Sequence, residues 1–478
     1  RQRVWGVPIT VFFCEACGKM LESKEVNAAV VELFRREGSD SWYRRPPEEI
    51  LPAGTKCTCG NGEFRKENDI IDVWFESGSS QAAVLGHEPG LPWPADLYLE
   101  GADQFRGWFQ SSLLCAIGSR NQAPYRMAVT PGWTLDPQGR AMSKSLGNVV
   151  DPVDISNRFG AEIVRLWVAS VDFREDMRVS EELLVAVTEV YRKLRNTFRY
   201  ILGNLYDFKP AEHAVNFADM QPLDQDMLLR MRDFTGQLVD WYNGFEFHRI
   251  YHALNEFCAV DLSNVYFDVL KDRLYTAAPN SRARRSAQTA VWRIGEALVR
   301  LAAPIMTFTA EEVWSYLAKL SARPESVHLA YFPQAADITG EPAEFVEPKG
   351  LRSDFDALLA VRAEVLKALE VARKEKLIGS GLEAVVTIHA PENTFKLLER
   401  YQSGLRFLFI VSAVQVKRAG EGNGAAPLRV EVSKAPGQKC ARCWNYSTEV
   451  GKSERYPTVC ERCLATLEEM EQGQGVPA

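Results

Sequence analysis

Apolar residues fall into two regimes along the chain: short, turn-bounded clusters up to about residue 180, then long segments at helical spacing. In the first regime, runs such as Asp96-Leu97-Tyr98-Leu99 and Ala128-Val129-Thr130 predict short strands among helices and many Gly and Pro turns, so an α/β region is expected. Ser180 marks the change. Its hydroxyl can cap a helix with Glu181 and Glu182 in the first turn, and Val190, Leu194, Phe198, Ile201 and Leu205 then form an apolar stripe. Further amphipathic helices are expected at about 223 to 241, 246 to 270, 282 to 302 and 309 to 320, the last opening with a capping box, Thr309-Ala310-Glu311-Glu312. Together they predict a helical bundle. After the Pro- and Gly-containing stretch Pro333 to Gly350, a helix at about 352 to 376 precedes two strand-like runs, Ala384-Val385-Val386-Thr387-Ile388 and Leu428-Arg429-Val430-Glu431-Val432, with a flexible loop, Gly420 to Ala426, between them.

Length and composition bound the reading. The 478 residues exceed one ordinary domain, and 46% hydrophobic with 25% charged residues fits a folded soluble protein. No run of about 18 apolar residues occurs, and no membrane association is expected. The start, Arg1-Gln2-Arg3-Val4-Trp5, has neither a signal pattern nor an initiator Met, so the expectation is a cytoplasmic protein whose sequence begins in mid-chain. A net charge of -7 argues against non-specific coating of nucleic acid, while leaving room for local basic faces. Arg192, Arg195 and Arg199 share one helix face opposite the apolar stripe, and Arg282, Arg284 and Arg285 form a second basic cluster.

The cysteines change the picture more. Eight of the ten form four close pairs, which is metal-ligand spacing rather than a secreted disulfide scaffold. Cys440-x2-Cys443 and Cys460-x2-Cys463, sixteen residues apart, have the count and spacing of a structural tetrahedral Zn2+ site. Cys14-x2-Cys17 and Cys57-x-Cys59 make a second candidate Zn2+ site, although the 39-residue gap also allows two separate pairs. Cys115 and Cys258 sit in apolar helical contexts and read as packing thiols. Around the last four cysteines lie Lys434, Lys439, Arg442, Lys452, Arg455 and Arg462, with Trp444, Tyr446 and Tyr456 interleaved. That surround fits an RNA-contacting zinc ribbon and, equally, a solvated surface over a small aromatic core.

A different signal is Gly139-Arg140-Ala141-Met142-Ser143-Lys144-Ser145-Leu146-Gly147-Asn148, which follows the turn Asp136-Pro137-Gln138-Gly139. Small residues let such a loop approach a ligand, and its lysine delivers a mobile charge to a polyphosphate. The segment resembles the KMSKS loop of class I aminoacyl-tRNA synthetases. Upstream, Asp72-Val73-Trp74-Phe75-Glu76-Ser77-Gly78-Ser79 and Tyr98-Leu99-Glu100-Gly101-Ala102-Asp103-Gln104-Phe105-Arg106-Gly107-Trp108-Phe109 resemble two active-site segments of the isoleucyl branch. The stretch Arg1 to Pro8 resembles the point where that branch re-enters its catalytic region after the editing insertion, and the four-cysteine tail resembles the zinc module ending its bacterial members.

The resemblance covers essentially the whole chain and implies the C-terminal portion of a bacterial isoleucyl-tRNA synthetase. The implied architecture is multidomain. The α/β second half of a Rossmann-like catalytic domain occupies 1 to 180 with an inserted four-cysteine zinc module, and an all-α anticodon-binding bundle occupies 181 to 345. A small α/β junction domain takes 346 to 433, and a zinc-binding module 434 to 478. The implied reaction is ATP-dependent activation of isoleucine and its transfer to tRNA(Ile), with two Zn2+ and with ATP entering with Mg2+. Residue by residue, Lys144 is the implied catalytic phosphate-binding lysine, with Met142, Ser143 and Ser145 beside it in the ATP site. Glu100, Gly101, Asp103, Gln104 and Trp74 are the implied aminoacyl-adenylate contacts, and Trp108 is a further candidate wall. Two positions depart from the family: Ala141 stands at the first loop lysine, and Phe105 where histidine is common. The HIGH-motif half and the editing domain are expected in sequence preceding Arg1, so the chain is expected to be an inactive monomer until joined to that half. The other reading is a non-catalytic tRNA-binding zinc protein derived from a synthetase, against which the intact Met142-Ser143-Lys144-Ser145 and Glu100-Gly101 segments argue.

Overall fold

The computed structural model describes residues 6–318, 323–342, 345–419 and 427–474, so the Gly420 to Ala426 loop expected from sequence lies outside the described residues. Two compact units emerge: Arg1–Thr134 with Phe173–Met177, and Leu135–Asp172 with Arg178–Ala478. No described helix is long and apolar enough to cross a membrane.

The first unit begins with an antiparallel hairpin, Phe12–Cys14 against Phe64–Lys66, that sets Cys14 opposite Phe64. The chain between these strands is not a long loop. It folds as the Lys24–Glu37, Ser41–Arg44 and Pro47–Ile50 helices, whose Val26, Val30, Leu33, Trp42 and Ile50 close over Phe12 and Phe64. Next comes the expected α/β element: strands Ala95–Leu99 and Tyr125–Val129 pair in parallel, joined through the Trp108–Arg120 helix as a parallel crossover requires. Tyr98, buried, stacks on Trp108 with ring centroids 4.3 Å apart. The short Val73–Gly78 helix lies so close to the Trp108–Arg120 helix that a Cβ at Gly78 would sit 2.6 Å from the Ser111 carbonyl carbon.

In the second unit the Ser180 hydroxyl does accept from the Leu183 amide, and the Glu181–Asn204 helix buries Leu194, Phe198 and Ile201 as the stripe requires. It packs with the Arg282–Ala302 and Thr307–Tyr316 helices, and the Pro222–Asn243 helix packs on the Arg282–Ala302 helix in turn. The expected helix at 246 to 270 continues to Thr276, but its middle, Phe257–Tyr266, widens into a π-helix between Phe247–Glu256 and Phe267–Thr276. Cys258 is buried there, whereas Cys115 is half-buried.

Two local expectations are overturned. The last bundle helix starts at Thr307 rather than at a capping box on Thr309, because Thr309 is buried inside the first turn and its hydroxyl meets Tyr191 at 3.0 Å. Glu311 turns away to accept from the Ser326 hydroxyl at 2.9 Å and the Val327 amide at 3.0 Å. The Arg282, Arg284 and Arg285 cluster is not an open basic face either. Arg284 and Arg285 are buried; Arg284 holds the Asp207 carboxylate at 2.7 and 3.1 Å, Arg285 donates to the Asp207 carbonyl, and Arg282 pairs with Asp219.

The bundle is organised around Asp224, a carboxylate with 0% exposure. Arg273 donates to both its oxygens at 2.7 and 2.8 Å, the Tyr266 hydroxyl donates at 2.8 Å, and the Ser286 hydroxyl at 2.5 Å. Beyond the bundle, the Leu351–Lys374 helix covers a three-stranded sheet. Its central strand, Ala384–Ala390, runs parallel to Ala413–Arg418 and antiparallel to Arg429–Lys434. The tail adds a small hairpin, Gln438–Lys439 with Tyr446–Ser447, and a closing helix, Glu461–Gln474.

Removing Asp224 leaves Arg273 charged in the interior. Asp224→Ala is expected to lower unfolding stability by about 3–5 kcal/mol, read from denaturant titration of helical circular dichroism. A loss within about 0.5 kcal/mol would show that the cluster does not organise the bundle.

Candidate active site and metal centres

The carboxyl ends of parallel strands are where α/β folds bind ligands, because loops there open above the sheet. Glu100 stands at that place, directly after the Ala95–Leu99 strand, with its amide on the Val129 carbonyl at 3.4 Å and its carboxylate exposed. Gly101 then caps a 3-10 turn, Ala102–Arg106, and passes so near Asp103 that a Cβ there would lie 2.6 Å from Oδ1. Gln104 donates to Asp103 Oδ2 at 2.9 Å and accepts from the Trp108 amide at 3.2 Å. Trp74 enters from the neighbouring helix, whose first turn is capped by Asp72 Oδ1 at 2.8 Å. A Cβ at Gly107 would meet Gln104 Oε1 at 2.7 Å and the Trp74 ring at 2.9 Å, so these two side chains share one surface. Trp108 turns its Nε1 inward to the Ser77 carbonyl at 3.0 Å, and Phe105 is exposed. Gly101, Asp103, Gln104 and Trp74 thus interlock, with Glu100 adjoining Gly101, and half-buried Trp108 lies beside them with its ring on Tyr98.

In the second unit, the loop carrying Met142, Ser143, Lys144 and Ser145 is clamped at both ends. Asp136 Oδ1 accepts from the amides of Gln138 at 3.0 Å and Arg140 at 2.8 Å, and Oδ2 accepts from Arg140 Nε at 2.7 Å and Asn148 Nδ2 at 3.0 Å. Asn148 closes the far end, accepting from the Ser143 amide at 2.9 Å and donating to the Ala141 carbonyl at 3.2 Å. The Ser143 and Ser145 hydroxyls meet at 3.2 Å, and Lys144 is exposed with no ion pair among the described residues. The Asn148 amide, with the Arg140 amide and guanidinium, holds the Asp136 carboxyl down at about 2. Neither Asp136 nor Asn148 has a role in the sequence reading. The available signals were an Asp opening a Pro-Gln-Gly turn and an Asn twelve residues on.

Each cysteine set gathers its four sulfurs within 4.8 Å of one another. Cys14 and Cys59 Sγ lie 3.6 Å apart, Cys17 and Cys57 3.5 Å, and Cys443 and Cys460 3.6 Å. These separations exclude disulfides, whose sulfurs are about 2.05 Å apart. They match the spacing of roughly 3.8 Å that four bonds of about 2.3 Å impose around tetrahedral Zn2+. Donors also reach the sulfurs, as thiolates require: Cys460 N–H to Cys440 Sγ at 3.3 Å, and Asn61 Nδ2 to Cys14 Sγ at 3.5 Å. The tail set is wholly buried, whereas Cys17 and Cys59 of the first are exposed. The 39-residue gap of the first set is the helical insert that the hairpin brackets.

Most cations around the tail are committed. Arg462 pairs with Asp272, Arg442 donates to the Thr276 carbonyl, Arg455 pairs with Glu471 and Lys452 with Glu449. Trp444, 60% exposed at φ +64°, faces outward with Lys439 5.4 Å from its ring.

Three family profiles match in chain order: "tRNA synthetases class I (I, L, M and V)" over 1–180, "Anticodon-binding domain of tRNA ligase" over 224–388, and "Zinc finger found in FPG and IleRS" over 437–465. Isoleucine–tRNA ligase of Syntrophotalea carbinolica is 49% identical over 473 residues, covering 98% of this chain and 50% of that protein. Isoleucine–tRNA ligase of Symbiobacterium thermophilum is 48% identical over 481 residues, with 98% and 50% covered. The chain belongs to the isoleucine–tRNA ligase family of class I synthetases. It spans about half the length of the curated family members it matches. A solved LeuRS–tRNA–LeuAMS complex from Agrobacterium radiobacter K84 has the same fold at TM-score 0.51 and 20% identity, covering 71% of this chain and 42% of that chain. The helix Glu181–Asn204 lies between the first two matched regions.

Two measurements check this geometry. Protein purified without added metal is expected to carry about two zinc per chain, and Cys460→Ser to unfold the tail while leaving the bundle helical. One zinc would remove the first site, and none would remove both. Because the folded pKa of Asp136 lies below the ordinary value near 3.9, the loop clamp is complete above about pH 4 and is lost as pH falls through about 2. Asp136→Asn is expected to raise proteolytic cleavage between Arg140 and Asn148 at pH 7 above the wild-type level; unchanged cleavage would show that the clamp does not order the loop.

Proposed function

We propose that the chain forms the adenylate-binding half, the tRNA-reading bundle and the zinc modules of an enzyme that activates isoleucine with ATP and transfers it to tRNA(Ile). The observation that carries this reading is the clamped loop with Lys144 unpaired and exposed, in a family of isoleucine–tRNA ligases. In the reaction the isoleucine carboxylate attacks the α-phosphate, pyrophosphate leaves, and the tRNA terminal hydroxyl then attacks the adenylate carbonyl. No covalent enzyme intermediate is required, so catalysis is orientation plus charge stabilisation. Lys144 meets the charge growing on the departing phosphates, with Met142, Ser143 and Ser145 shaping the loop around them. Glu100, with Gly101, Asp103, Gln104 and Trp74, orients the adenylate. Mg2+ enters with ATP on phosphate oxygens. The two four-cysteine sets hold Zn2+ in closed, structural sites.

For tRNA, the structural support is Arg195 and Arg199. Both are exposed, neither has an ion pair among the described residues, and they line a cleft of about 580 Å³ with Tyr316. Arg192, by contrast, is tied to Glu189 at 2.9 Å. Outward-facing Trp444 offers a ring to an unstacked base.

The experiment is isoleucine-dependent exchange of pyrophosphate into ATP. These 478 residues alone are expected to give none, and exchange is expected when the remaining half of the family's length is joined or added in trans. In that assembly Lys144→Ala is expected to lower the rate by on the order of 3 kcal/mol of transition-state stabilisation. Robust exchange by the chain alone would overturn the division of labour, and an unchanged Lys144→Ala rate would overturn the loop assignment.

A further inference from the structure

A polyphosphate carries several negative charges, yet the loop offers it only Lys144. Its other cation, Arg140, is fixed on the nearly fully buried Asp136 at 2.7 Å, and Ala141 contributes no charge. A third cation reaches the loop from outside it. Leu135 bridges Ala141 on one side and accepts the Val179 amide at 3.1 Å on the other, so the strand end at Arg178 lies one strand away from the start of the loop. The Trp167 indole N–H fixes that strand end by donating to the Arg178 carbonyl at 3.3 Å.

From this anchored backbone the Arg178 side chain extends across to Gly139. A Cβ built on Gly139 would lie 3.3 Å from Nη2 and 3.6 Å from both Cζ and Nε, so the guanidinium lies face-on against the glycine. Gly139 is at φ +76° and has no side chain to hold the guanidinium off. Arg178 itself is exposed and has neither an ion pair nor a side-chain hydrogen bond among the described residues. A fixed backbone, a side chain laid on a ligand loop and an unspent planar fork are what recognition of phosphate oxygens requires.

We propose that Arg178 is a second phosphate-binding catalytic residue of this loop, supplying from the adjoining strand the positive charge that position 141 lacks. The inference rests on the synthetase reading above. Ala141, bridged to Leu135, brings no charge of its own to that end of the loop. Arg178 and Lys144 then approach the departing phosphates from two directions, one as a fork and one as a mobile point charge.

The test is ATP-dependent exchange by the chain joined to the other half of its enzyme, with Lys144→Ala as a parallel arm. Arg178→Ala and Arg178→Gln are expected to lower kcat/KM for ATP by on the order of tenfold to a hundredfold without changing KM for isoleucine. Arg178→Lys is expected to recover only part of the rate, because it keeps the charge and loses the fork. Ala141→Lys is expected to restore the Arg178→Ala enzyme while adding little to the wild type, a non-additivity that only a shared electrostatic role produces. Wild-type ATP kinetics in Arg178→Gln, alongside a damaged Lys144→Ala, would overturn the inference and leave the loop assignment standing. A loss that Ala141→Lys cannot rescue and that equally raises KM for isoleucine would overturn it in favour of a packing role. If Lys144→Ala is also silent, or the joined enzyme gives no exchange, it is the synthetase reading that fails.

Discussion

The bundle depends on one buried charge. Asp224 loses its hydration entirely, and only the convergence of Arg273, Tyr266 and Ser286 makes that tolerable. Because those groups come from separate stretches of chain, satisfying the carboxylate fixes how three helical segments sit around it. The π-helical stretch from Phe257 to Tyr266 leads into this cluster. It ends on Tyr266, and Arg273 follows two α-helical turns later on the same face, so both reach Asp224. An apolar core alone would specify burial without specifying this register.

Much of this architecture is legible in the sequence where one physical rule acts alone. Ser180 followed by two glutamates and a 3.6-residue stripe gives a helix start that tertiary contacts had no reason to move. Four thiols at Cys-x2-Cys spacing leave little besides a metal to satisfy. Thr309 shows where legibility stops: its local pattern is a good capping box, but Tyr191, 118 residues away, claims the hydroxyl and the helix begins a half-turn earlier. Arg284 and Arg285 read as surface because arginines usually are, and only the fold reveals Asp207 beneath them. The first cysteine set was ambiguous because spacing cannot show that 39 residues fold back as a small helical core.

The candidate site residues divide the same way. Lys144 and Glu100 stand out by residue type in a recognisable order, so the family resemblance finds them. Asp136 and Asn148 are invisible to that reading because each acts through hydrogen bonds to loop backbone and to the other, which residue order does not show. The two candidate regions are built differently. The patch from Glu100 to Gln104 with Trp74 is a surface of interlocked side chains on a strand end and two short helices. The loop around Lys144 is an exposed arc held at its ends by Asp136 and Asn148.

The tail's inward-pointing arginines have a consequence for the bundle. The helix Phe267–Thr276 ends with unsatisfied carbonyls, as every helix does, and Arg442 supplies a donor to the last of them from 166 residues farther along the chain. Arg462 neutralises Asp272 one turn earlier. The metal module therefore serves as a prosthetic helix cap, and its zinc is a remote determinant of whether that final turn frays. An unrelated zinc ribbon grafted in its place would bring the metal but not the cap.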